Sequence, residues 1–316
     1  MTPSNLLRDE SGSTPLESTA QIMDRITSQL GSQLNLVSLD GRRRTEPPAA
    51  SPLAPRTAPR TAPAPELVVV AHGSRDPRAL ATVTALLDRV RALRPGLTVR
   101  LGHIELNEPL LTDTLAASPG GAAVLVPLLL SRGYHVKHDI PGAAASARHL
   151  DTRVAAPLGP HPLLVDALHD RLVEAGWPAG PGRRTDAVIL AAAGSRDPDS
   201  AADTRRTADL LARRLGVPVV PAYATPTEAS ALSVPAAVHA LAARGRHRTA
   251  VASYFTAPGR FATQCAEAAP WIASAPLGVH LAMARLLLHR YDQARATASS
   301  TPRAAAHVPS RQLTTA

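Results

Sequence analysis

His72, Glu105 and His135 each follow a short apolar run: Leu67–Val70 before the first, Leu97–Ile104 before the second, Ala123–Leu130 before the third. Two imidazoles and a carboxylate suit a divalent first-row metal, and they are also the side chains that accept protons near neutral pH. His138, three residues beyond His135, is a fourth candidate ligand. Glu108 could stand in for Glu105, but it has a later counterpart, Glu228, and is expected to serve a helix start, which favours Glu105 for chemistry. His103 falls inside a strand pattern, where core packing and a rim role are both open.

The elements that must position these residues alternate. Leu67-Val68-Val69-Val70 has the β-branched, uninterrupted pattern of a strand buried on both faces. After Pro77, a residue suited to a first helical turn, Leu80, Val83, Leu86, Leu87 and Val90 recur at helical spacing. Strands are then expected at 97–104, 123–130 and 153–156, with helices from about 109, from about 141 and over 161–175. Such alternation predicts a parallel sheet with helices on both faces, and in that architecture ligands bind outside the carboxyl ends of the strands. The three candidates therefore share one rim.

The pattern then repeats. Gly194-Ser195-Arg196-Asp197-Pro198 copies Gly73-Ser74-Arg75-Asp76-Pro77, Val188-Ile189-Leu190 answers Val68-Val69-Val70, and Ala275–His280 answers Ala156–His161. The expected fold class is α/β: two tandem doubly wound parallel-sheet modules related by internal duplication. The second copy works as an internal control. Aligning the blocks puts Ala193 at the position of His72, Thr225 at that of Glu105, Phe261 at that of His135 and Gln264 at that of His138. Joint loss of all four, with the structural blocks kept, is what one site needed once per molecule would leave. His161 and His280 occur in both copies and are expected to be structural.

Around the modules, residues 1–65 form an N-terminal arm: Thr45–Pro65 is a Pro-, Ala- and Arg-rich stretch that cannot close a core, and Ile22, Ile26, Leu30 and Leu34 sketch a short amphipathic helix over 17–36. The first module is assigned to 66–180, the degenerate second to 181–292, and a tail without periodicity to 293–316.

Composition excludes several classes. The formal charge is +9, and every basic residue but Lys137 is arginine, yet four Tyr and two Phe are too few for base-stacking platforms and the arginines are interspersed with acids, so no nucleic-acid partner is expected. A single cysteine, Cys265, rules out an internal disulfide and a Cys-based zinc cluster. No apolar run nears the ~18 residues of a membrane span. The N-terminus lacks a basic segment followed by an apolar one, so no membrane partner and a cytoplasmic location are expected. A phosphate-binding Gly-x-x-x-x-Gly-Lys loop, a Gly-x-Gly-x-x-Gly fingerprint and a His-Glu-x-x-His pair are all missing, which argues against ATP, dinucleotide cofactors and a common zinc-protease site.

Val70–Pro77, Ile104–Pro109, and Pro127–Leu130 with Gly133–Pro141 together resemble the sirohydrochlorin chelatase family, the ATP-independent chelatases of siroheme and cobalamin synthesis. The resemblance covers about 66–292 and is similar to the long, two-module form of the family. It implies a lyase that inserts a divalent metal, Fe2+, Co2+ or Ni2+, into sirohydrochlorin, with the metal as substrate and no organic cofactor. It further implies metal binding by His72 and His135, with Glu105 assisting metal binding or proton removal. Ser74, Arg75, Arg132 and Lys137, beside the motifs, are candidate contacts for the carboxylates of such a macrocycle. The two-module form implies two chelatase-like modules with a cleft between them, in which Tyr254, Phe255 and Phe261 would be wall residues opposite the metal. A monomer is expected, with a homodimer as the alternative. A non-catalytic metal or tetrapyrrole carrier and a metal-dependent hydrolase are the competing functions.

Overall fold

A computed structural model of the chain describes residues 64–178, 180 and 182–299, with the backbone alone at 298 and 299. The expected helix over 17–36, and the arm and tail beyond these bounds, lie outside the described residues.

In the first half, β1 (Glu66–Ala71) is flanked in parallel by β2 (Val99–His103) and β3 (Gly121–Pro127), and β3 carries β4 (Leu150–Val154). Leu67, Val68, Val69 and Val70 are fully buried, as a central strand covered on both faces requires. The helices are α1 (Pro77–Leu93), α2 (Leu111–Ala116), α3 (Ile140–Ser146) and α4 (Pro162–Glu174). A π-helical turn at His135–Asp139 leads into α3, so helical backbone begins six residues before the Pro141 start expected from sequence. Leu80, expected on the buried face of α1, is exposed; Ala79 is buried in its place beside Val83, Leu86, Leu87 and Val90.

The second half centres on β5 (Asp186–Ala192), flanked in parallel by β6 (Val219–Tyr223) and β7 (Arg248–Ser253). Its helices are α5 (Pro198–Leu215), α6 (Val234–Ala242), α7 (Arg260–Glu267) and α8 (Leu281–Ser299). A counterpart of β4 shrinks to one parallel bridge, Val251 to Ala273. Pro270 lies at the start of that segment and has no N–H to give to a ladder.

Each half's last helix covers the other half. α4 packs on α5 and β7, α8 packs on α1, β3 and β4, and the two pack on each other. One core consequently runs from Leu67 through Leu168 to Leu287 and Tyr291, while two smaller cores, around Ile140 and around Ile189, stay local to their halves. The side chain of Tyr254 adds a polar pin: its hydroxyl donates to the Leu130 carbonyl at 2.9 Å and lies 3.2 Å from the Thr207 hydroxyl.

His161 and His280 hold equivalent posts. Each Nδ1 accepts the backbone N–H two residues on, from Leu163 and Ala282, at 3.2 Å, and so caps the start of α4 or α8. α8 continues past residue 292 to Ser299, seven residues into the segment expected to be tail. Asp292 accepts two hydrogen bonds from Arg94 at 2.6 and 2.7 Å, a long-range tie that the one-dimensional periodicity does not register. No described helix is long and apolar enough to cross a membrane.

Candidate functional site

The Gly-Ser turn after β1 is built the same way in both halves. Asp76 accepts the Arg78 N–H and Asp197 the Asp199 N–H, both at 2.9 Å, each capping the helix that follows. Ser74 and Ser195 each accept an N–H from those same aspartates at 3.1 Å. The turn is tied to the next strand's exit by Glu105 N–H to the His72 carbonyl (3.1 Å) in the first half and Thr225 N–H to the Ala193 carbonyl (2.9 Å) in the second. Likewise Lys137 N–H reaches the Gly133 carbonyl where Thr263 N–H reaches that of Gly259, both at 3.0 Å. These pairs put Ala193, Thr225 and Phe261 in the places of His72, Glu105 and His135.

With the frame fixed, the first half brings three side chains together. His72 Nε2 stands 3.4 Å from Glu105 Oε1. The ring of His135 meets that of His72 edge to face, centroids 5.0 Å apart. His72 Nδ1 is 3.2 Å from the Gly73 carbonyl, which can only accept, so that nitrogen carries a hydrogen, and Nε2 faces the Glu105 carboxylate. His135 Nδ1 lies 2.6 Å from Asp139 Oδ2, a contact that puts a hydrogen on Nδ1 and turns Nε2 away from that carboxylate. Asp139 joins the site without being among the residues expected from sequence; the signal for it is its spacing of four from His135, one helical turn.

Two lone pairs 3.4 Å apart repel unless a proton or cation sits between them. Two ligands each ~2.1 Å from one ion are roughly 3.0 Å apart at octahedral and 3.4 Å apart at tetrahedral angles, so the gap matches the tetrahedral spacing. Among the described residues no group of three His, Cys, Asp or Glu side chains is already closed around a common point. The His72–Glu105 pair is formed and His135 waits one ring away. His138 is not brought in: it is exposed and packs against Tyr134, centroids 4.7 Å apart.

His72 and Glu105 face a cleft of about 1120 Å³ whose walls come from both halves, with Leu80 and Leu106 on one side and Phe255 and Phe261 on the other. Tyr254, expected on this wall, is instead buried behind it, held by its hydroxyl, and burial pushes that phenol well above its ordinary range. His103 combines both of its possible roles, being buried at the end of β2 and part of the cleft floor.

The four candidate macrocycle contacts divide. Arg75 is exposed on the cleft wall, with no carboxylate partner among the described residues. Ser74 also lines the cleft, but its N–H is given to Asn107 Oδ1 at 2.7 Å and its Oγ accepts the Asp76 N–H at 3.1 Å, leaving the hydroxyl hydrogen for a ligand. Arg132 and Lys137 are turned to the second half and do not line the cleft. Arg132 grips buried Asp203 through its backbone N–H, Nε and Nη2 at 3.0, 2.9 and 2.7 Å. Lys137 meets Asp197 at 2.7 Å and Asp199 at 2.9 Å. The hydrogen bonds that Lys137 donates to Asp197 and then Asp199 raise its ammonium, while burial tends to raise Asp203 and Arg132 overrides it, holding that carboxyl below the usual range. These cations fasten the loop that carries His135.

Two doubly wound halves, one with a histidine–carboxylate rim and one stripped of it, define a class of duplicated α/β proteins with a single site facing an inter-module cleft. The CbiX family profile matches residues 66–175 and again 187–294, and the chain belongs to this family, that of the sirohydrochlorin chelatases. The sirohydrochlorin ferrochelatase of Bacillus subtilis is 32% identical over 167 residues, 50% of this chain and 62% of that protein, so the chain spans less than two thirds of this relative. The sirohydrochlorin cobaltochelatase of Methanosarcina acetivorans is 27% identical over 123 residues, 34% of this chain and 95% of its own. In three dimensions, SirB from Bacillus subtilis with Fe3+ superposes with a TM-score of 0.61 at 22% identity, covering 75% of this chain and 97% of that one, a likeness of fold.

Proposed function

We propose that the protein is a sirohydrochlorin chelatase that inserts a divalent metal, Fe2+ or Co2+, into the tetrapyrrole without ATP, in siroheme or cobalamin synthesis. The observation that carries this reading is the His72 Nε2–Glu105 Oε1 gap of 3.4 Å at the mouth of a cleft large enough for a macrocycle, with His135 beside it. Relatives named for both metals support the substrate class and leave iron and cobalt as alternatives.

Metallation requires the ion to shed water, the ring nitrogens to reach it and two N–H protons to leave. Neutral imidazole and carboxylate hold a first-row ion at exchangeable strength, which suits an ion that has to be handed on. In this reading His72 and His135 present Nε2 to the incoming metal, Asp139 fixes the tautomer of His135, and Glu105 shares the ion; as the metal moves to the ring, the carboxylate of Glu105 takes up one of the two N–H protons and the vacated Nε2 of His72 the other, both passing on to water. Leu80, Leu106, Phe255 and Phe261 exclude water from the flat substrate, and Arg75 with the Ser74 hydroxyl meets its peripheral carboxylates.

The test is a turnover assay of the full chain with sirohydrochlorin and Fe2+ or Co2+, followed by the absorbance change on metallation. Multiple turnovers are expected, with a loss of roughly 100-fold or more in His72→Ala, Glu105→Gln and His135→Ala at unchanged circular dichroism. A single stoichiometric burst would establish a carrier instead, and full activity in all three variants would remove the site.

A further inference from the structure

The second half has lost every candidate ligand, yet it contributes one complete wall of the cleft. Its Phe261 occupies the place of His135, and the Arg260 guanidinium lies over the Phe261 ring, 4.7 Å from its centroid. Stacking of this kind orients an arginine without neutralising it, since none of its N–H donors is spent on a carboxylate. The other cations near the cleft are mostly spent. Arg78 meets Asp76 at 2.7 Å, and Arg132 and Lys137 are held by Asp197, Asp199 and Asp203. Among the described residues, Arg75 on one wall and Arg260 on the other are the cleft cations that lack a carboxylate partner. Glu267, two turns along the same helix from Arg260, also faces the cleft and gives the far end of that wall the opposite sign.

We infer that Arg260, braced on Phe261, is the anchor in the second half that binds a peripheral carboxylate of the macrocycle and so fixes the ring's orientation over His72. The inference rests on the cleft being the tetrapyrrole site. A flat polycarboxylate inserted between Leu106 and Phe255 has charged groups around its edge, and the wall's single free cation against the acid at its other end admits it in a preferred rotation. Replacement of the ligand histidine by Phe261 then has a positive use: it removes a competing metal ligand and supports the guanidinium.

The experiment measures binding of metal-free uroporphyrin, a polycarboxylate tetrapyrrole, by fluorescence quenching, alongside metallation kinetics with sirohydrochlorin and Co2+. Arg260→Ala is expected to weaken uroporphyrin binding and raise KM about ten-fold, with the larger part of the loss in KM and not in kcat. Arg260→Lys should recover part of the affinity. Phe261→Leu, which keeps an apolar side chain in the wall, should weaken binding about three-fold through loss of the brace. Affinity of the wild type should fall more steeply with sodium chloride than that of Arg260→Ala, as one ion pair fewer dictates. Uroporphyrin bound equally by wild type and Arg260→Ala, with equal salt dependence, overturns the anchor even if His72→Ala abolishes metallation. A wild type that binds uroporphyrin through Arg260 but metallates nothing sinks the chelatase reading and keeps the anchor. Failure of the wild type to bind either tetrapyrrole sinks both.

Discussion

Gly73 and Gly194 share one backbone angle, φ +101°, and at each an added Cβ would overlap a carbonyl oxygen, that of Glu105 at the first and that of Thr225 at the second. The turn after the central strand is thus equally intolerant of a side chain in both halves, although only the first half carries the histidine–carboxylate rim. Alanine at either position should cost about 2 kcal/mol or more, from the left-handed angle and the displaced strand exit together. In a urea titration both variants should unfold at lower denaturant. Gly73→Ala, which pushes on the Glu105 backbone, should also lose most metallation activity, whereas Gly194→Ala should retain it in its folded fraction.

In the proposed site, Asp139 acts on the metal through His135. Its carboxylate at 2.6 Å from Nδ1 holds the hydrogen there and leaves Nε2 free. Asp139→Ala should lower the affinity for Co2+ by about 10- to 100-fold, the usual cost of removing such a partner, while the far-ultraviolet circular dichroism stays unchanged. Titration of the full chain with Co2+, read by its visible absorption, checks this.

The bond between Arg132 and Asp203 clamps the His135 loop to α5. Asp203 is 1% exposed and Arg132 is 38% exposed, so the pair lies between a surface bridge, worth ~0–1 kcal/mol, and a buried one, whose breaking costs ~3–5 kcal/mol. Asp203→Asn should therefore destabilise by roughly 2 kcal/mol, measured by denaturant titration at neutral pH. Because its folded carboxyl sits below the ordinary value, the contribution of Asp203 is present above about pH 4 and disappears as the pH falls further. An unchanged midpoint for Asp203→Asn would show that the clamp contributes nothing.

His161 should dominate a different pH window. Burial, then the charges of Arg290 and His289, push its imidazole from the ordinary 6.5 down to about 4. Between those values the unfolded chain binds the proton and the folded one does not. The contribution is fully present above pH 6.5 and is lost as the pH falls toward 4. Melting temperatures taken across this range should drop, and His161→Asn, which keeps an acceptor for the Leu163 N–H but does not titrate, should flatten the drop. A slope identical to wild type would remove His161 as its source.

The legible part of the molecule was local. Val68–Val70 and Val188–Leu190 announce buried central strands by their composition, and the candidate residues sit directly behind such strands, so the rim followed from strand order alone. The copied Gly-Ser-Arg-Asp-Pro turn made the loss of His72 and His135 in the second half visible without coordinates. What stayed hidden depends on partners far along the chain. Arg132 and Lys137 look free in the sequence because Asp197, Asp199 and Asp203 are more than 50 residues away. Leu80 fits a helical stripe, yet it lines the cleft, because the face it shares is covered by the second half only in part. Asp139 stands one helical turn beyond His135, but that spacing has a meaning only once the segment is known to be helical from His135 on. Apolar periodicity reports that α4 and α8 are buried, but not under which sheet.

That last point has a consequence for how the chain holds together. A polypeptide comprising the first half alone would possess a helix with no sheet to rest on and a sheet missing its cover; two such copies could repair each other only by meeting in solution, at a cost that depends on dilution. Joining the copies through the stretch around Gly176–Gly182 turns that encounter into a unimolecular event, so the working unit keeps its composition at any abundance, and one copy becomes free to drift in sequence while the other cannot.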